Sequence, residues 1–368
     1  MAVLRWCKKN IVFCVAACAA AITCFFVPPD KAYFGYFDWK TLACLFLTLA
    51  VVCALRNIKF FTIVARRLVK ISGNLRSLFL MLIAITFLGS MLIANDMALI
   101  TFLPLGYFAL SVTKQEKYMA YLFILQNISA NLGGMLTPFG NPQNLYLYSY
   151  FNIPTGEFCR IMLPPFLLAI TLLVVCCVPI KATPLVIQDT FNERLNKKRT
   201  ALYLILFALS LLIVFRVIPY LLGLVLITTV LIWKDRDALL MVDYGLLGTF
   251  FFFFIFAGNL ARIDAVNHLF ANLLAKDTLL VSVASCQGIS NVPTAILLSR
   301  FTEDYRSLLL GVNIGGTGTL IASLASLITF SEFRVLYPGH SKQYFWLFTA
   351  INVGFLVIMT VAAKLYFI

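Results

Sequence analysis

Long apolar stretches, each close to the length of a bilayer crossing, follow one another along the chain, and no long polar block separates them. A helix needs about 20 apolar residues to cross a hydrocarbon core about 30 Å thick. The pattern therefore predicts an all-α polytopic membrane protein. We place nine full crossings at 11–27, 41–55, 120–150, 161–180, 200–216, 218–233, 243–260, 307–331 and 344–366. The first follows basic residues, as a signal peptide would, but no small-residue cleavage site comes after it, so we interpret it as a span.

A further apolar stretch, 278–301, is interrupted by Gln287, Ser290, Asn291 and Pro293. Each arm holds about 10 to 12 residues, which makes about 15 to 18 Å of helix and is too short to cross the hydrocarbon core. We therefore predict a re-entrant hairpin. Its tip has unpaired backbone groups at membrane depth, so it must be surrounded by protein or by a watery cavity.

The stretch 77–110 has longer arms, and its length fits an ordinary pair of crossing helices as well as a hairpin. Its midpoint is Ala94-Asn95-Asp96, and the corresponding place in the second hairpin holds Ser290-Asn291-Val292. The shared position of the polar break favours a hairpin here too.

Each hairpin is followed by a long apolar segment that small and polar residues interrupt. The stretches Asn131 to Leu145 and Asn313 to Leu327 align without a gap, and five of their 15 positions are identical. In the first, glycines and prolines stand so close together that we expect residues 136–144 to be unwound. Both segments are therefore predicted to be broken helices.

The same order of features occurs in both halves: two crossings, an amphipathic stretch, a hairpin, a broken helix and a further crossing. The amphipathic stretches lie at about 57–72 and 261–275. The extra crossing at 200–216 would turn the second half upside down, which is typical of secondary transporters with alternating access. We therefore predict two inverted-topology repeats, 1–180 and 218–368, joined by a linker and the extra crossing at 181–217.

The composition agrees with this architecture, and the predicted topology accounts for the positive net charge. Hydrophobic residues make up 62% of the chain and charged residues 12%, which excludes a water-soluble fold. The net charge of +14 is the excess of 29 basic over 15 acidic residues, and most of the basic residues fall in alternate loops of the predicted topology. Arg5, Lys8, Lys9 and Arg194 are among them. The positive-inside rule then predicts a cytoplasmic N-terminus and an outer C-terminus, with the lipid bilayer and not nucleic acid as the partner of the positive charge.

The two broken segments offer groups for binding a solute and an ion. Unwound backbone frees carbonyl oxygens that can coordinate a cation. Half-helix N-termini and the amides of Asn95, Asn141, Asn144 and Asn291 can hold an anionic or polar solute. Small and polar residues also serve close helix packing, and that reading stays open for each residue alone.

Asp96 is the one acid that we place near the bilayer centre, where a carboxylate is costly unless it is paired, hydrated or protonated. Three roles are open: ligand of a coupling cation, titrating proton carrier, or structural hydrogen-bond partner of a neighbouring helix. Arg300, near the end of the second hairpin, is the nearest basic candidate, and an interfacial anchor is its simpler role.

Other classes of protein fit less well. The chain has two histidines, no H-E-x-x-H motif and no C-x-x-C pair, so neither an intramembrane enzyme nor a metal or disulfide site is expected. A passive anion channel is the alternative from a different class, because hairpins and broken helices also line pores.

Three motifs in this order resemble the ion transporter superfamily. Within it, the chain is most similar to the group of citrate-transporter-like proteins and divalent anion:sodium symporters, with arsenite-efflux permeases as close relatives. The motifs are Ala94 to Leu105 (ANDMALITFLPL), Gly133 to Asn144 (GGMLTPFGNPQN) and Ser290 to Leu298 (SNVPTAILL). The resemblance implies an elevator-type fold, usually a homodimer, with a scaffold domain and a mobile transport domain that carries both hairpins.

The tips differ from those of the dicarboxylate members, which have Ser-Asn-Thr in both hairpins. Here both asparagines and one serine are present, and the Asn95-Asp96 tip resembles the citrate-metal and arsenite branches instead. Two sets of candidate site residues follow. We expect the substrate at Asn95, Asn141, Asn144, Ser290, Asn291, Thr319 and Ser323, and ion coupling at Asp96, Asn95, Gly140, Asn291 and Ala322.

The expected function is secondary active transport of a small anion, a carboxylate or an inorganic oxyanion, by alternating access in the plasma membrane. The expected coupling ion is Na⁺ or H⁺, with no cofactor. Within the superfamily, arsenite-type efflux or cation:proton antiport remains the alternative.

Overall fold

The computed structural model describes residues 11–185 and 195–367, and the regular secondary structure in these ranges is helical. The prediction of an all-α polytopic membrane protein is therefore confirmed. Arg5, Lys8, Lys9 and Arg194, which contributed to the predicted orientation, lie outside the described residues. The α-helices are α1 Ile11–Phe26, α2 Trp39–Asn57, α3 Phe60–Val69, α4 Leu75–Ile93, α5 Asn95–Val112, α6 Met119–Gly133, α7 Pro142–Tyr150, α8 Thr155–Cys177, α9 Lys197–Val214, α10 Tyr220–Lys234, α11 Arg236–Leu240, α12 Tyr244–Ala261, α13 Asp264–Ile289, α14 Asn291–Leu298, α15 Tyr305–Ile314, α16 Leu324–Leu336 and α17 Ser341–Ala362.

Among the described residues, seven helical segments are long and apolar enough to cross a membrane. They are Trp39–Asn57, Leu75–Ile93, Asn95–Val112, Thr155–Cys177, Tyr244–Ala261, Asp264–Ile289 and Pro338–Tyr366. Two of the nine expected crossings form shorter apolar helices, α1 and α10, and both arms of the first hairpin are long enough to cross. The count of nine crossings therefore stays a prediction.

The first hairpin consists of α4 and α5, which meet at Ala94. A capping box begins α4, because the Asn74 side chain accepts from the Ser77 backbone N–H (2.9 Å) and Ser77 Oγ accepts from the Asn74 N–H (3.2 Å). Ala94 has a φ of 62° and a ψ of 153°, a conformation that is strained for any residue other than glycine. The two arms cover the predicted 77–110, and their re-entrant course stays a prediction.

The second hairpin consists of the last part of α13 and all of α14, which meet at Ser290. Asp277 has non-helical angles inside α13, and its side chain accepts from the Leu280 N–H (3.0 Å), as an N-cap does. The arm from Thr278 to Ile289 is thus a separate piece of helix about 18 Å long. The amphipathic stretch predicted at 261–275 is the part of α13 before this kink.

Both long segments are interrupted, but the helix of the first resumes at Pro142, so residues 142–144 of the stretch expected to be unwound, 136–144, are helical. The first runs as α6, a short 3₁₀ turn at Gly134–Leu136, extended backbone at Thr137, and α7 from Pro142. The second ends its first half at Ile314 and resumes at Leu324, where Ser323 is the N-cap and accepts from the Ser326 N–H (3.2 Å).

The broken helices form the interior. All residues from Leu122 to Met135 and from Ser307 to Gly318 are buried, including many amides and hydroxyls. Apolar side chains on α1, α10 and α17 are exposed instead, for example Leu221 and Val225. A polar interior inside an apolar shell is the arrangement expected where protein, and not lipid, surrounds irregular backbone.

Candidate functional site

The two hairpin tips have the same local geometry. Ser290 has a φ of 73° and a ψ of 160°, close to the values of Ala94. The asparagine that follows begins the second arm in each case, and its side-chain oxygen accepts from the next backbone N–H: Asn95 from Asp96 (3.0 Å) and Asn291 from Val292 (2.9 Å). Each of the two asparagines is 4% exposed.

The first tip lies deep against the first broken helix. Asn95 Nδ2 donates to Asn131 Oδ1 (3.0 Å), and Asn131 Nδ2 is 3.5 Å from Asn127 Oδ1. Asn131 lies about 18 Å along α6 from its start at Met119. The tip is therefore beside the middle of the broken helix and not at its end.

An asparagine cluster joins the two broken helices. Asn141 Nδ2 donates to the Asn131 carbonyl (3.2 Å) and to Asn313 Oδ1 (3.4 Å), while Asn313 Nδ2 donates to Asn144 Oδ1 (2.6 Å). Asn144 Nδ2 donates in turn to the carbonyls of Gly134 (3.3 Å) and Met135 (3.2 Å) in the first break. Asn313 thus connects the second half of the chain to both asparagines that hold the first break.

A second link joins the halves through hydroxyls. Asn127 Nδ2 donates to Ser326 Oγ (3.3 Å), and Ser326 Oγ lies 2.9 Å from Ser323 Oγ. All four side chains of the chain Asn131, Asn127, Ser326 and Ser323 are buried. Together with the asparagine cluster they form one hydrogen-bonded network between the halves, which we call the polar network.

The second tip is held by the second break. The Ala322 carbonyl accepts from the Asn291 N–H (3.0 Å) and from Ser290 Oγ (3.3 Å). Gln287 Nε2 donates to the carbonyls of Gly315 (2.9 Å) and Thr317 (3.2 Å). The amide of this one side chain therefore occupies carbonyls that the break has freed.

Thr319 also contacts Gln287. Its backbone N–H donates to Gln287 Oε1 (2.9 Å) and its hydroxyl to the Gln287 carbonyl (3.1 Å). Thr319 thus fixes the hairpin to the break and lies in a different set of contacts from the asparagine cluster.

Among the described residues of the first half, Ser72, Gln126 and Gln143 each have a buried side-chain oxygen without a hydrogen-bond partner. Two further such oxygens, at the first tip and the first break, are Asp96 Oδ1 and Asn141 Oδ1. Asn141 is the N-cap of α7, yet its side chain caps no backbone N–H, unlike Ser323 at the start of α16. Because an unpaired buried acceptor is costly, these two oxygens are available to a cation or to a proton donor.

Glycines let the first break fold closely on itself. A Cβ added at Gly140 would overlap the Gly134 carbonyl, and one at Gly134 would overlap Asn141 Oδ1. The backbone at Gly140 is therefore held against the turn that ends α6.

The basic side chains near the hairpins contact other groups. Arg300 Nη2 donates to the Tyr36 carbonyl (2.6 Å) and lies over the Tyr150 ring, as an anchor would. Arg56 Nη1 lies 3.8 Å from Met97 Sδ, one residue beyond Asp96. The hydrogen bonds of the polar network itself run between amides, hydroxyls and backbone groups.

The structure brings most of the expected residues together. Asn95, Asn141 and Asn144 share the polar network with Ser323, while Ser290 and Asn291 bind the backbone next to it. Sequence reasoning did not select five residues of these contacts as site residues. They are Asn127, Asn131, Gln287, Asn313 and Ser326. The identity of Asn131 and Asn313 in the gapless alignment was a signal that could have found two of them.

Comparison with known proteins assigns the family. A family model described as citrate transporter matches residues 1–304. An uncharacterized transporter of Methanocaldococcus jannaschii is 34% identical over 304 residues, which cover 80% of this chain and 81% of that protein. The inner membrane protein YbiR of Escherichia coli is 29% identical over 357 residues, covering 92% and 93%. The silicon efflux transporter LSI3 of Oryza sativa subsp. japonica is 32% identical over 154 residues, covering 41% and 31%. The chain therefore belongs to the citrate transporter family and is a membrane transporter.

Proposed function

We propose that the chain is a secondary active transporter that moves a small anion, a carboxylate or an inorganic oxyanion, by alternating access. The observation that carries this proposal is the polar network between the two hairpin tips and the two broken helices. It is buried and joins both halves, one of its members (Asn141) has an acceptor without a donor, and Asp96, next to Asn95, has another. Intramembrane polar groups of this kind are costly and mark solute and ion pathways.

Four helix N-termini support an anionic substrate. Asn95 and Asn291 begin α5 and α14, and Asn141 and Ser323 are the N-caps of α7 and α16. The N-terminal end of a helix carries a partial positive charge and unpaired N–H groups. An anion beside these four residues is therefore compensated without a lysine or an arginine.

The geometry also supports re-entrant hairpins in two inverted repeats, 1–180 and 218–368. The first tip lies about 18 Å along α6, and the arm of the second hairpin that starts at Thr278 is too short to cross. Both tips share the same backbone angles and the same asparagine contact. In this arrangement the hairpins and the broken helices move as one body against the remaining helices.

Asp96 is the proposed coupling residue, with either Na⁺ or H⁺ as the ion. Its buried oxygen lacks a donor, and its neighbour Asn95 is linked through Asn131 to Asn141, whose side-chain oxygen also lacks a donor. Either ion would neutralise a carboxylate in the membrane interior. Gly140 supplies a backbone carbonyl at the same break.

The test is uptake of radiolabelled citrate into proteoliposomes under imposed sodium and proton gradients. We expect citrate to accumulate above its outside concentration and the accumulation to collapse when the ion gradient is dissipated. Flux that only follows the gradient of citrate itself would identify a passive channel and contradict the proposal. Phosphate and arsenate serve as oxyanion probes in the same assay.

Efflux of an uncharged hydroxylated solute is a second candidate. The specific observation is that the polar network makes its hydrogen bonds with neutral groups, and that one relative is named a silicon efflux transporter. Silicic acid and arsenous acid, which are uncharged at neutral pH, are the probes. Export of either from loaded vesicles against its gradient, with no transport of citrate or oxyanions, would favour this candidate.

We also propose a plasma-membrane location with the N-terminus in the cytoplasm, the C-terminus outside, and a homodimer. The distribution of basic loops supports the orientation, and the name of the inner-membrane relative supports the location. The exposed apolar side chains of α10 contact lipid or a second copy of the chain. Labelling of single cysteines placed at Lys31 and Lys117 from each side of the membrane tests the orientation.

A further inference from the structure

The two halves carry chemically different side chains at one equivalent position of the hairpin, four residues before the tip asparagine. Counted from the tips, Gln287 in the second hairpin corresponds to Met91 in the first, since each lies four residues before the tip asparagine. The carbonyls of both residues accept the hydroxyl of the aligned threonine, Thr319 and Thr137, at 3.1 and 2.9 Å. The backbone is therefore equivalent, and the side chains are an amide in one half and a thioether in the other.

The Gln287 amide binds two carbonyls of the second break. Its Nε2 donates to the carbonyls of Gly315 and Thr317, and also to that of Val283 in its own helix, while its Oε1 accepts from the Thr319 N–H. The Ala322 carbonyl is already used by the tip. Three carbonyls of this break, those of Gly315, Thr317 and Ala322, thus have donors from the second hairpin.

The first half has buried side-chain oxygens to which no protein group donates a hydrogen bond. Asp96 Oδ1 and Asn141 Oδ1 are buried without a donor. Their counterparts in the second half are Val292, which has no polar group, and Ser323, whose hydroxyl caps α16. At these two aligned positions the second half therefore lacks the negative charge and the free amide oxygen that the first half offers to a cation.

We propose that the coupling ion binds in the first half alone, and that the Gln287 amide takes the place of a cation in the second half. This inference rests on the proposed function and specifies its stoichiometry as one ion in each cycle. Asn291 and Ala322, which the sequence suggested as ion ligands, then hold the second hairpin tip.

Equilibrium binding of radioactive sodium to the purified protein tests the proposal. We expect at most one Na⁺ per wild-type chain, or none if the coupling ion is a proton. Gln287→Glu replaces the two donated hydrogens by a carboxylate that faces the Gly315 and Thr317 carbonyls. The new carboxylate oxygen and the two carbonyls would then be three acceptors without a donor, and together they should bind a cation. This variant should therefore bind one Na⁺ more than the wild type. Asp96→Asn should remove the wild-type ion and leave the additional one in place.

Gln126→Glu is the matched control. Gln126 is also a buried amide on a helix beside a hairpin, and it donates to Thr86 Oγ1 (3.1 Å) and to a single carbonyl, that of Phe102 (3.2 Å). We expect no additional sodium in this variant. Melting temperature and size-exclusion profile are recorded for every variant.

Two sodium ions bound to each wild-type chain would overturn the proposal, as would a folded Gln287→Glu variant that binds no more sodium than the wild type. If that variant does not fold, the test is the dependence of citrate uptake by the wild type on the concentration of the coupling ion. We expect a Hill coefficient of about 1, and a value of about 2 would contradict the proposal. Absence of concentrative uptake of any probe contradicts the proposed function, while the sodium count still tests this inference.

Discussion

Thr137 and Thr319 make the same hydrogen bond in the two halves of the chain. Each hydroxyl donates to the carbonyl that lies four residues before the tip asparagine of its own hairpin, that of Met91 in the first half and that of Gln287 in the second. The two threonines were already equivalent in the gapless sequence alignment. The correspondence between the halves thus extends from the order of elements to a single contact between a hairpin and a break.

Thr137→Val and Thr319→Val should each loosen one hairpin from its break. A net hydrogen bond contributes about 1 kcal/mol, so we expect a loss of stability of that size in each variant and a weaker apparent affinity for the transported probe. Thermal unfolding and concentration-dependent uptake measure the two effects. Thr349→Val, at a half-buried threonine whose hydroxyl donates to the Phe345 carbonyl of its own helix, is the control. Wild-type affinity in both variants would show that the contact has no part in the site.

Asp96→Asn should abolish gradient-driven uptake and leave the protein folded. The amide has nearly the same shape, but it can neither carry the coupling proton nor supply a negative charge to a cation. We expect a loss of at least tenfold in initial rate, measured in proteoliposomes with an imposed gradient. Asp264→Asn changes an exposed acid at the start of a helix and should transport normally. Unchanged concentrative uptake by Asp96→Asn would remove the residue from coupling.

Asn95→Ala and Asn291→Ala should weaken binding more than they lower expression. Each side chain organises the first turn of a helix whose N-terminus faces the proposed anion. A rise of about tenfold in the half-saturating probe concentration is expected, with a melting temperature close to that of the wild type. Normal half-saturation in both variants would argue against substrate binding between the tips.

Asn313→Leu should disconnect the two halves. It removes the donor to Asn144 and the acceptor for Asn141 at similar side-chain volume, and it leaves buried polar groups unpaired. The expected cost is about 2 kcal/mol, read from chemical denaturation. Asn267→Leu, at an exposed asparagine, should change stability little. Equal effects of the two substitutions would mean that the asparagine cluster contributes nothing specific.

Gly140→Ala should be far more harmful than Gly156→Ala. A Cβ at Gly140 overlaps the Gly134 carbonyl, while one at Gly156 meets open space. Backbone atoms cannot give way as a side chain can, so we expect a cost of about 1 to 3 kcal/mol and loss of transport in the first variant. Thermal unfolding of both variants, with uptake alongside, makes the comparison.

The ion pair between Asp30 and Arg262, outside the membrane, should make a contribution to stability that is lost in acid. Hydrogen bonds from the Arg262 guanidinium, at 2.7 and 3.0 Å, hold the pKa of Asp30 below its ordinary value. Because the folded state lowers this pKa, the contribution is present above the unfolded pKa and is lost as the pH falls through the folded one. The melting temperature of Asp30→Asn should therefore fall less than that of the wild type below about pH 4. Parallel curves for the two proteins would contradict this.

The elements that position the site were predictable because their signals are local. Prolines, glycines and polar breaks at Pro293 and at Pro138 to Pro142 are incompatible with continuous helices, and they mark the second hairpin and the first break in the sequence itself. The energetic cost of a carboxylate at Asp96, inside a long apolar stretch, could likewise be judged from the sequence. Helix length was harder to judge, and α1 and α10 came out shorter than a full crossing.

The pairing of side chains was not predictable, because it depends on how distant segments pack. Asn141 meets Asn313 across 172 positions of sequence, and Asn127 meets Ser326 across 199. Gln287 was visible as a polar interruption, but nothing in its neighbours shows that its amide reaches two carbonyls of the following segment. The additional kink at Asp277 likewise depends on a cap that only the structure reveals.

The polar network also limits the order in which the protein can be assembled in the cell. While the first broken helix is being synthesised, Asn141, Asn144 and Asn127 lack the partners that Asn313 and Ser326 supply much later in the chain. Unpaired amides are poorly tolerated in lipid. We therefore expect the amides of the first half to stay in contact with water or with the insertion machinery until the second half has been synthesised. Neither half is expected to fold alone.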